Sequence, residues 1–313
     1  MEKAKALFVG SREAIEKAYS QKTMKLISEK ADILPICPPD EIKTSPYTQE
    51  ADYIFSTWGM PSLSEDEIRE HLPVLKAVFY AAGTVQSFAR PFLRCGVRIF
   101  SAWKANAIPV AEFTVSEILL AGKGFFNCMH RGSSPVWSEH DNFRQHPGNF
   151  DMNVGIIGAG MIGTLVIKEL KNHDLNVFVY DRFMSDEKAG ALGVTKLDSI
   201  PELFEKCTVI SNHLANNVHT VGIINAQCFE KMAENGVFIN TGRGQQVVEE
   251  ALVKALKEKP SRCALLDVTH PEPPAEGSEL YSLGNVILTP HIAGSLGEEI
   301  KRMGEFMAEE FIN

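Results

Sequence analysis

The stretch "NVGIIGAGMIGTLVIKELKNH" (153–173) runs from unbroken apolar residues through three glycines into an apolar pattern at helical spacing. Gly158, Gly160 and Gly163 match G-x-G-x-x-G. A bare match says little, because small residues also pack helices on sheets for purely structural reasons. The setting adds the information: "NVGII" reads as a buried strand and "MIGTLVIKELKNH" as the helix that follows. There the first glycine permits the tight turn, the second lets the backbone approach a pyrophosphate, and the third lets helix and strand pack closely. The helix start at Met161 and Ile162 then offers free N–H groups and a partial positive charge to that anion. About twenty residues on, "VFVYD" ends in Asp181, a carboxylate suited to accepting hydrogen bonds from ribose hydroxyls. It would repel a 2′-phosphate, so NAD is expected over NADP. Arg182, next to it, is the residue that could accommodate that phosphate.

Outward from this unit, strand and helix periods keep alternating. "NVFVYD", "GVTKL", "TVISNHL", "GVFINTG", "CALLDV" and "NVILTP" follow "NVGIIG" as strands, mostly separated by helical segments. That pattern predicts a six- or seven-stranded doubly wound parallel sheet. Before it, "ALFVG", "DYIFSTW", "LKAVFYA" and "VRIFSA" read as strands of a second parallel sheet. The intervening helices are one over "SREAIEKAYSQKTMKLISEKAD", capped by Ser11, then "SEDEIREHL" and "SFARPFLRC". A long apolar helix, "PVAEFTVSEILLAGKGFF", precedes a polar, aromatic-dotted excursion, "HRGSSPVWSEHDNFRQHPGNFD", and an amphipathic helix, "LGEEIKRMGEFMAEEF", closes the pattern. Two domains also suit a chain of 313 residues.

Charge and composition narrow the function classes. Thirty-one basic against 40 acidic residues give a net charge of −9, and a nucleic-acid partner would need a basic face instead. The longest apolar runs are too short to span a bilayer. "MEKAKALFVG" lacks the apolar segment and cleavage site of a signal peptide, so a cytoplasmic chain without a membrane partner is expected. The six cysteines show neither CxxC nor Cys/His spacing, so reduced thiols are expected rather than disulfides or zinc, and no metal constellation stands out.

Three further strand ends carry chemistry. "VFINTGRGQQV" presents Arg243, "CALLDVTHPEPP" presents Glu272, and "VILTPHIAG" presents His291. In open α/β sheets ligands bind outside the carboxyl ends of the strands, so these side chains can converge. Singly, each has a bland reading: a surface cation, a loop carboxylate between prolines, a histidine where a strand runs out. Behind a dinucleotide fingerprint the three make a coherent set. Reduction of a 2-keto acid needs a proton for the developing alkoxide, and histidine titrates near neutrality. A carboxylate bonded to the ring orients it and favours imidazolium. An arginine offers a planar fork of donors to the substrate carboxylate and carbonyl oxygen.

The motifs "AAGT", "PVAEF", "GAGMIG", "NTGRG", "LDVTHPEP" and "TPHIAG", in that order through most of the chain, resemble the D-isomer-specific 2-hydroxyacid dehydrogenases, the family of phosphoglycerate, glyoxylate/hydroxypyruvate and D-lactate dehydrogenases. The resemblance implies an α/β chain of two flavodoxin/Rossmann-like doubly wound parallel-sheet domains with a cofactor cleft between them. Residues 1–103 with 290–313 would form the substrate domain and 104–289 the NAD-binding domain. It implies Arg243, Glu272 and His291 as the catalytic set. Cofactor contacts would come from Gly158, Gly160, Met161, Ile162, Gly163, Asp181, His213, Thr241, Gly242 and Asp267. The substrate carboxylate would meet the N–H groups of Ala82 and Gly83, beside Trp58 and Asn106. A homodimer through "PVAEFTVSEILLAGKGFF" and the excursion is also implied, with a small 2-keto or 2-hydroxy acid as the other partner.

The chain departs from the family's pattern in places. "TVQSF" stands where an Asp-Asn pair is common, "SNHLAN" lacks a common proline, and "STWGMP" and "SAWKAN" add Trp58, Met60, Trp103 and Lys104. The two tryptophans could line a pocket for an apolar or extended side chain, and Lys104 could meet a second acidic group. Formate dehydrogenases resemble the family but pair the histidine with glutamine, which Glu272 argues against. The alternative of another class is an NAD(H)-sensing dimeric regulatory protein on the same fold, as in the C-terminal-binding-protein co-repressors.

Overall fold

Five short strands, β1 (Ala4–Val9), β2 (Ala31–Ile33), β3 (Tyr53–Ser56), β4 (Ala77–Tyr80) and β5 (Arg98–Ser101), form one parallel sheet in the order β2-β1-β3-β4-β5. The computed structural model describes residues 3–129 and 145–313. This sheet belongs to a first unit, Met1–Ala107 with Ser295–Asn313; Ile108–Gly294 form the second. The strand order is the flavodoxin-like one.

Sequence register explains the core of the first unit. "LFV", "IFS", "VFY" and "IFS" place Phe8, Phe55, Phe79 and Phe100 opposite one another across β1, β3, β4 and β5. The rings stack in a ladder with centroids 5.3, 5.0 and 4.9 Å apart. The helix Glu299–Ile312 covers this face, with Met303 and Met307 buried and Phe311 edge-on to Phe55 and Phe79. Gly304 makes the fit possible, since a Cβ there would lie 2.0 Å from the carbonyl oxygen of Ala18.

Two features of this unit differ from the sequence expectation. The single helix expected after Ser11 is two, Arg12–Ala18 and Gln21–Lys30. Ser20 caps the second, accepting from the Thr23 N–H (3.2 Å), as Ser11 caps the first through Ala14 (3.2 Å). The break turns Tyr19 inward, where its hydroxyl donates to the carbonyls of Ser56 (2.9 Å) and Phe79 (3.1 Å). β2, unanticipated, has only Ala31 buried and is joined directly to the second helix, so no alternation marks it.

In the second unit β6 (Met152–Ile157), β7 (Leu175–Tyr180), β8 (Thr195–Lys196), β9 (Val209–Asn212), β10 (Val237–Asn240), β11 (Cys263–Leu266) and β12 (Val286–Leu288) pair in parallel as β12-β11-β10-β9-β6-β7-β8. The chain winds outward from β6 to β8, then restarts at β9 on the other side, so the switch point lies between β6 and β9. β9, β10 and β11 are buried throughout, as strands covered on both faces must be. Ile156 joins the core with Val154, Val166 and Val179, and its neighbour Ile157 the opposite one with Phe204, Ile210 and Phe238.

The long helix begins at Trp103 and ends at Gly122, with Pro109 inside it. Sequence reasoning had started it at Pro109, where proline prefers the first turn; the helix-compatible run "WKANAI" extends it backwards. The unit boundary falls within this helix at 107/108 and again at 294/295, so His291 lies in the second unit. The excursion lies, through residue 144, outside the described residues. Cys37, Cys95, Cys207, Cys228 and Cys263 are free thiols. No helix among the described residues is long and apolar enough to cross a membrane.

Candidate active site

At the carboxyl edge of the second unit, the glycine loop follows β6. Gly158 adopts φ +87°, the left-handed region that costs glycine nothing. A Cβ on it would also press on the His213 backbone at 3.1 Å, and one on Gly163 would overlap the Gly158 carbonyl at 2.0 Å. At Gly160 a Cβ would meet nothing within 4 Å, so the backbone there is open to a close-approaching group. Gly160 caps the helix Met161–Leu170 without any side-chain bond, leaving the first helical N–H groups for an anion. That open cradle fits a dinucleotide pyrophosphate. Asp181, after β7, is tied to the same loop: Oδ2 accepts from the Ala159 N–H (2.7 Å) and Oδ1 from the Phe183 N–H (2.8 Å).

Arg243 follows β10 and is held by a buried amide network. Gln246 Oε1 accepts from the Arg243 N–H (3.2 Å) and from Asn212 Nδ2 (2.7 Å). Gln246 Nε2 donates to the carbonyls of Leu214 (2.9 Å) and Ala215 (3.1 Å). Asn240 Oδ1 accepts from Asn212 Nδ2 (3.0 Å) and the Gly242 N–H (3.1 Å). Asn212, Asn240 and Gln246 are all buried. Sequence reasoning passed over these three; for Asn212 and Asn240 the signal was a polar residue closing an otherwise apolar strand. Thr241 meets Thr114 at 3.1 Å through their hydroxyls. Gly244 brings this loop onto the next, because a Cβ there would lie 1.9 Å from the Thr269 carbonyl carbon.

Glu272 and His291 are brought together directly, with Oε1 2.5 Å from Nδ1 and both side chains partly exposed. A carboxylate only accepts, so Nδ1 carries the hydrogen and Nε2 is the nitrogen left for a substrate. His291 itself sits at φ +54°, a strained conformation for a side chain other than glycine. Asp267 enforces it. Its Oδ1 accepts from the Ile292 N–H (2.7 Å) and the Thr289 hydroxyl (2.6 Å), and its Oδ2 from the Ala293 N–H (3.0 Å). The His291 N–H donates to the Asp267 carbonyl (3.0 Å). Asp267, expected at the cofactor, thus spends its carboxylate on holding the histidine loop.

Two buried titratable groups lie nearby. Burial pushes the His213 imidazole down to about 3; Nε2 pairs with the Ser211 hydroxyl (3.0 Å) and Nδ1 is buried without a partner among the described residues. Glu117, on the long helix, was not anticipated. Burial first, and the negative charge of Asp267 second, push its carboxyl up to about 8, and its Oε2 is buried without a partner among the described residues. The folded protein therefore keeps this proton where the unfolded chain releases it, near 4.5. Between those values the folded state binds more protons, so stability falls as pH rises, by up to about 1.4 kcal/mol per pH unit. Urea midpoints taken at about pH 6 and about pH 8 should show this loss, and Glu117→Gln should flatten it. Parallel pH slopes for the two proteins would contradict that assignment.

In the first unit the substrate loop is a tight turn. The Ala82 N–H, expected to meet a substrate carboxylate, donates to the Tyr80 carbonyl at 2.8 Å, in the tight turn that ends β4. The Gly83 N–H has no partner among the described residues. Asn106 Nδ2 lies 3.4 Å from where a Cβ on Gly83 would stand, and its Oδ1 accepts from the Ser295 N–H (3.0 Å). Trp58 is half exposed beyond β3.

Comparison with known proteins shows the family. Residues 116–293 match the family model described as D-isomer specific 2-hydroxyacid dehydrogenase, NAD binding domain. The D-3-phosphoglycerate dehydrogenase of Archaeoglobus fulgidus is 34% identical over 220 residues, 70% of this chain and 41% of that protein. The glyoxylate reductase of Thermofilum pendens is 34% identical over 208 residues, 65% of this chain and 60% of that protein. The chain thus spans less than two thirds of the length of either relative. The apo structure of Rhodotorula graminis D-mandelate dehydrogenase matches with a TM-score of 0.81 at 19% identity, over 99% of this chain and 93% of that one, a likeness of fold alone. With more than half of its length matching the family model, the chain belongs to the D-isomer specific 2-hydroxyacid dehydrogenase family and carries its NAD-binding domain.

Proposed function

We propose that the chain interconverts a 2-keto acid and a D-2-hydroxy acid with NAD(H), with His291 as proton donor and acceptor. The observation that carries this reading is the 2.5 Å pairing of His291 Nδ1 with Glu272 Oε1 on a loop fixed by Asp267. When bound, the nicotinamide supplies or accepts the hydride. The chain's own residues do the rest. Glu272 holds the ring so that the Nε2 proton is the one offered to the carbonyl oxygen as negative charge develops. Arg243 binds the substrate carboxylate and polarises the carbonyl. Gly160, Met161 and Ile162 hold the pyrophosphate and Asp181 the ribose, with His213, Thr241 and Gly242 completing the cofactor contacts. Gly83 binds the substrate beside Trp58 and Asn106.

The direct test is a screen of 2-keto acids for NADH oxidation. NADH binding without turnover of any of them would favour the NAD(H)-sensing regulatory role instead. Preference for NADH over NADPH is expected, because Asp181 would meet the 2′-phosphate. Asp181→Ser should narrow the kcat/KM ratio of the two cofactors by about tenfold or more, the worth of one close charge contact. A wild type that already favours NADPH sinks this role for Asp181. We also propose a homodimer that uses the helix Trp103–Gly122; light scattering coupled to size exclusion reads its mass.

A further inference from the structure

Ser56, Tyr80 and Ser101 are register partners across β3, β4 and β5. Two residues beyond each stand Trp58, Ala82 and Trp103. The three chain ends stay side by side past the strands: the Thr57 hydroxyl donates to the Ala81 carbonyl (3.0 Å) and the Ala102 N–H to the Ala82 carbonyl (3.1 Å). The two tryptophans therefore flank the Ala82–Gly83 turn on either side. Strands lie about 4.8 Å apart, so the backbones carrying the indoles are about 10 Å apart, with the Gly83 N–H, unpartnered among the described residues, between them. Trp58 is 48% and Trp103 47% exposed, and Leu296, next to the Ser295 that bonds Asn106, is 52% exposed. Large apolar side chains gathered unburied around one loop mark a binding surface rather than core.

Charge points the same way. The loops 57–63 and 81–88 contain no lysine or arginine, and 101–107 contain only Lys104. Its Nζ lies 5.7 Å from the centre of the Trp103 ring, a cation–π distance. Nothing in these loops forms a phosphate site of the kind a guanidinium fork would make.

We infer that Trp58 and Trp103 form an aromatic clamp that takes the side chain of the substrate, selecting 2-keto acids with a flat, bulky apolar group over small or phosphorylated ones. This rests on the proposed 2-keto acid reductase activity and names its substrate class. With NADH saturating, kcat/KM for phenylpyruvate should exceed that for glyoxylate and for 3-phosphohydroxypyruvate. Trp58→Ala and Trp103→Ala should each lower it for phenylpyruvate by about 10- to 100-fold while changing glyoxylate far less, as loss of one wall of an apolar pocket does. Circular dichroism and unchanged urea midpoints confirm that the variants fold. A wild type that prefers glyoxylate or 3-phosphohydroxypyruvate overturns the clamp, as does an equal loss on all substrates. If no keto acid is turned over, the reductase reading has failed and the clamp is still decidable. D-phenyllactate should then quench indole fluorescence in the wild type and not in the Trp58→Leu, Trp103→Leu double variant, and absence of quenching in the wild type overturns it.

Discussion

Replacing His291 by glutamine should cut turnover of the best 2-keto acid by about 10²- to 10⁴-fold, the usual contribution of a positioned general acid. NADH binding should stay nearly intact. The glycine loop and Asp181 are untouched, and the bonds from Asp267 that shape the loop run to the backbone of Ile292 and Ala293 and to the Thr289 hydroxyl, none of which the substitution alters. Glutamine keeps a hydrogen-bonding side chain at the same position and removes the titratable proton. The measurement is kcat by NADH oxidation, with binding followed separately by NADH fluorescence. Near-normal reduction by the variant would leave His291 a strand end and nothing more, and the enzymatic reading would go with it.

Arg243→Ala should behave differently. Its backbone N–H to Gln246 and its carbonyl, which accepts from Asn240 Nδ2 at 3.3 Å, survive in alanine, so the loop should keep its shape. What is lost is the guanidinium, whose only bond among the described residues is Nη1 to the Gly242 carbonyl (2.7 Å). KM should rise and kcat fall together, because a ground-state carboxylate contact and carbonyl polarisation disappear at once. A fall in kcat/KM of about 10³-fold is expected, comparable to removal of an oxyanion donor plus one charged contact. Arg243→Lys should recover only part, since an ammonium keeps the charge without the fork. A rise in KM alone, at unchanged kcat, would reduce Arg243 to a binding residue.

The glycine loop, Asp181, Arg243, Glu272 and His291 were legible because each follows a strand whose apolar run is unmistakable. The parallel, doubly wound class of both sheets followed from strand–helix alternation, whereas the strand orders and β2 did not. What escaped depended on partners distant in the chain. Nothing local shows that Gln246 reaches back to Asn212, 34 residues earlier, or that Glu117 is buried near Asp267. That the Ala82 N–H bonds the Tyr80 carbonyl was not legible, because that turn is a matter of backbone dihedrals rather than composition. The helix break at Ser20 was hidden by a continuous helical period on both sides, and Pro109 misled because proline's preference for a helix start is statistical while extension costs one hydrogen bond.

The helix that fits over Ala18 through Gly304 also orders events on the ribosome. Residues 4–101 emerge before that helix, carrying all five strands and the phenylalanine ladder, yet Ile15, Ala18, Tyr19 and Ile27 cover only part of the ladder until Ile300, Met303, Met307 and Phe311 arrive. Before then the whole of Ile108–Gly294 must be made, and that continuous stretch owns both of its own cores. The later segment can thus finish folding while the earlier one waits, its stacked rings partly open to water and to other nascent chains. Chaperone dependence during synthesis should accordingly track the first hundred residues, and a chain stopped after Gly294 but before Glu299 should yield one folded body attached to one unfinished sheet.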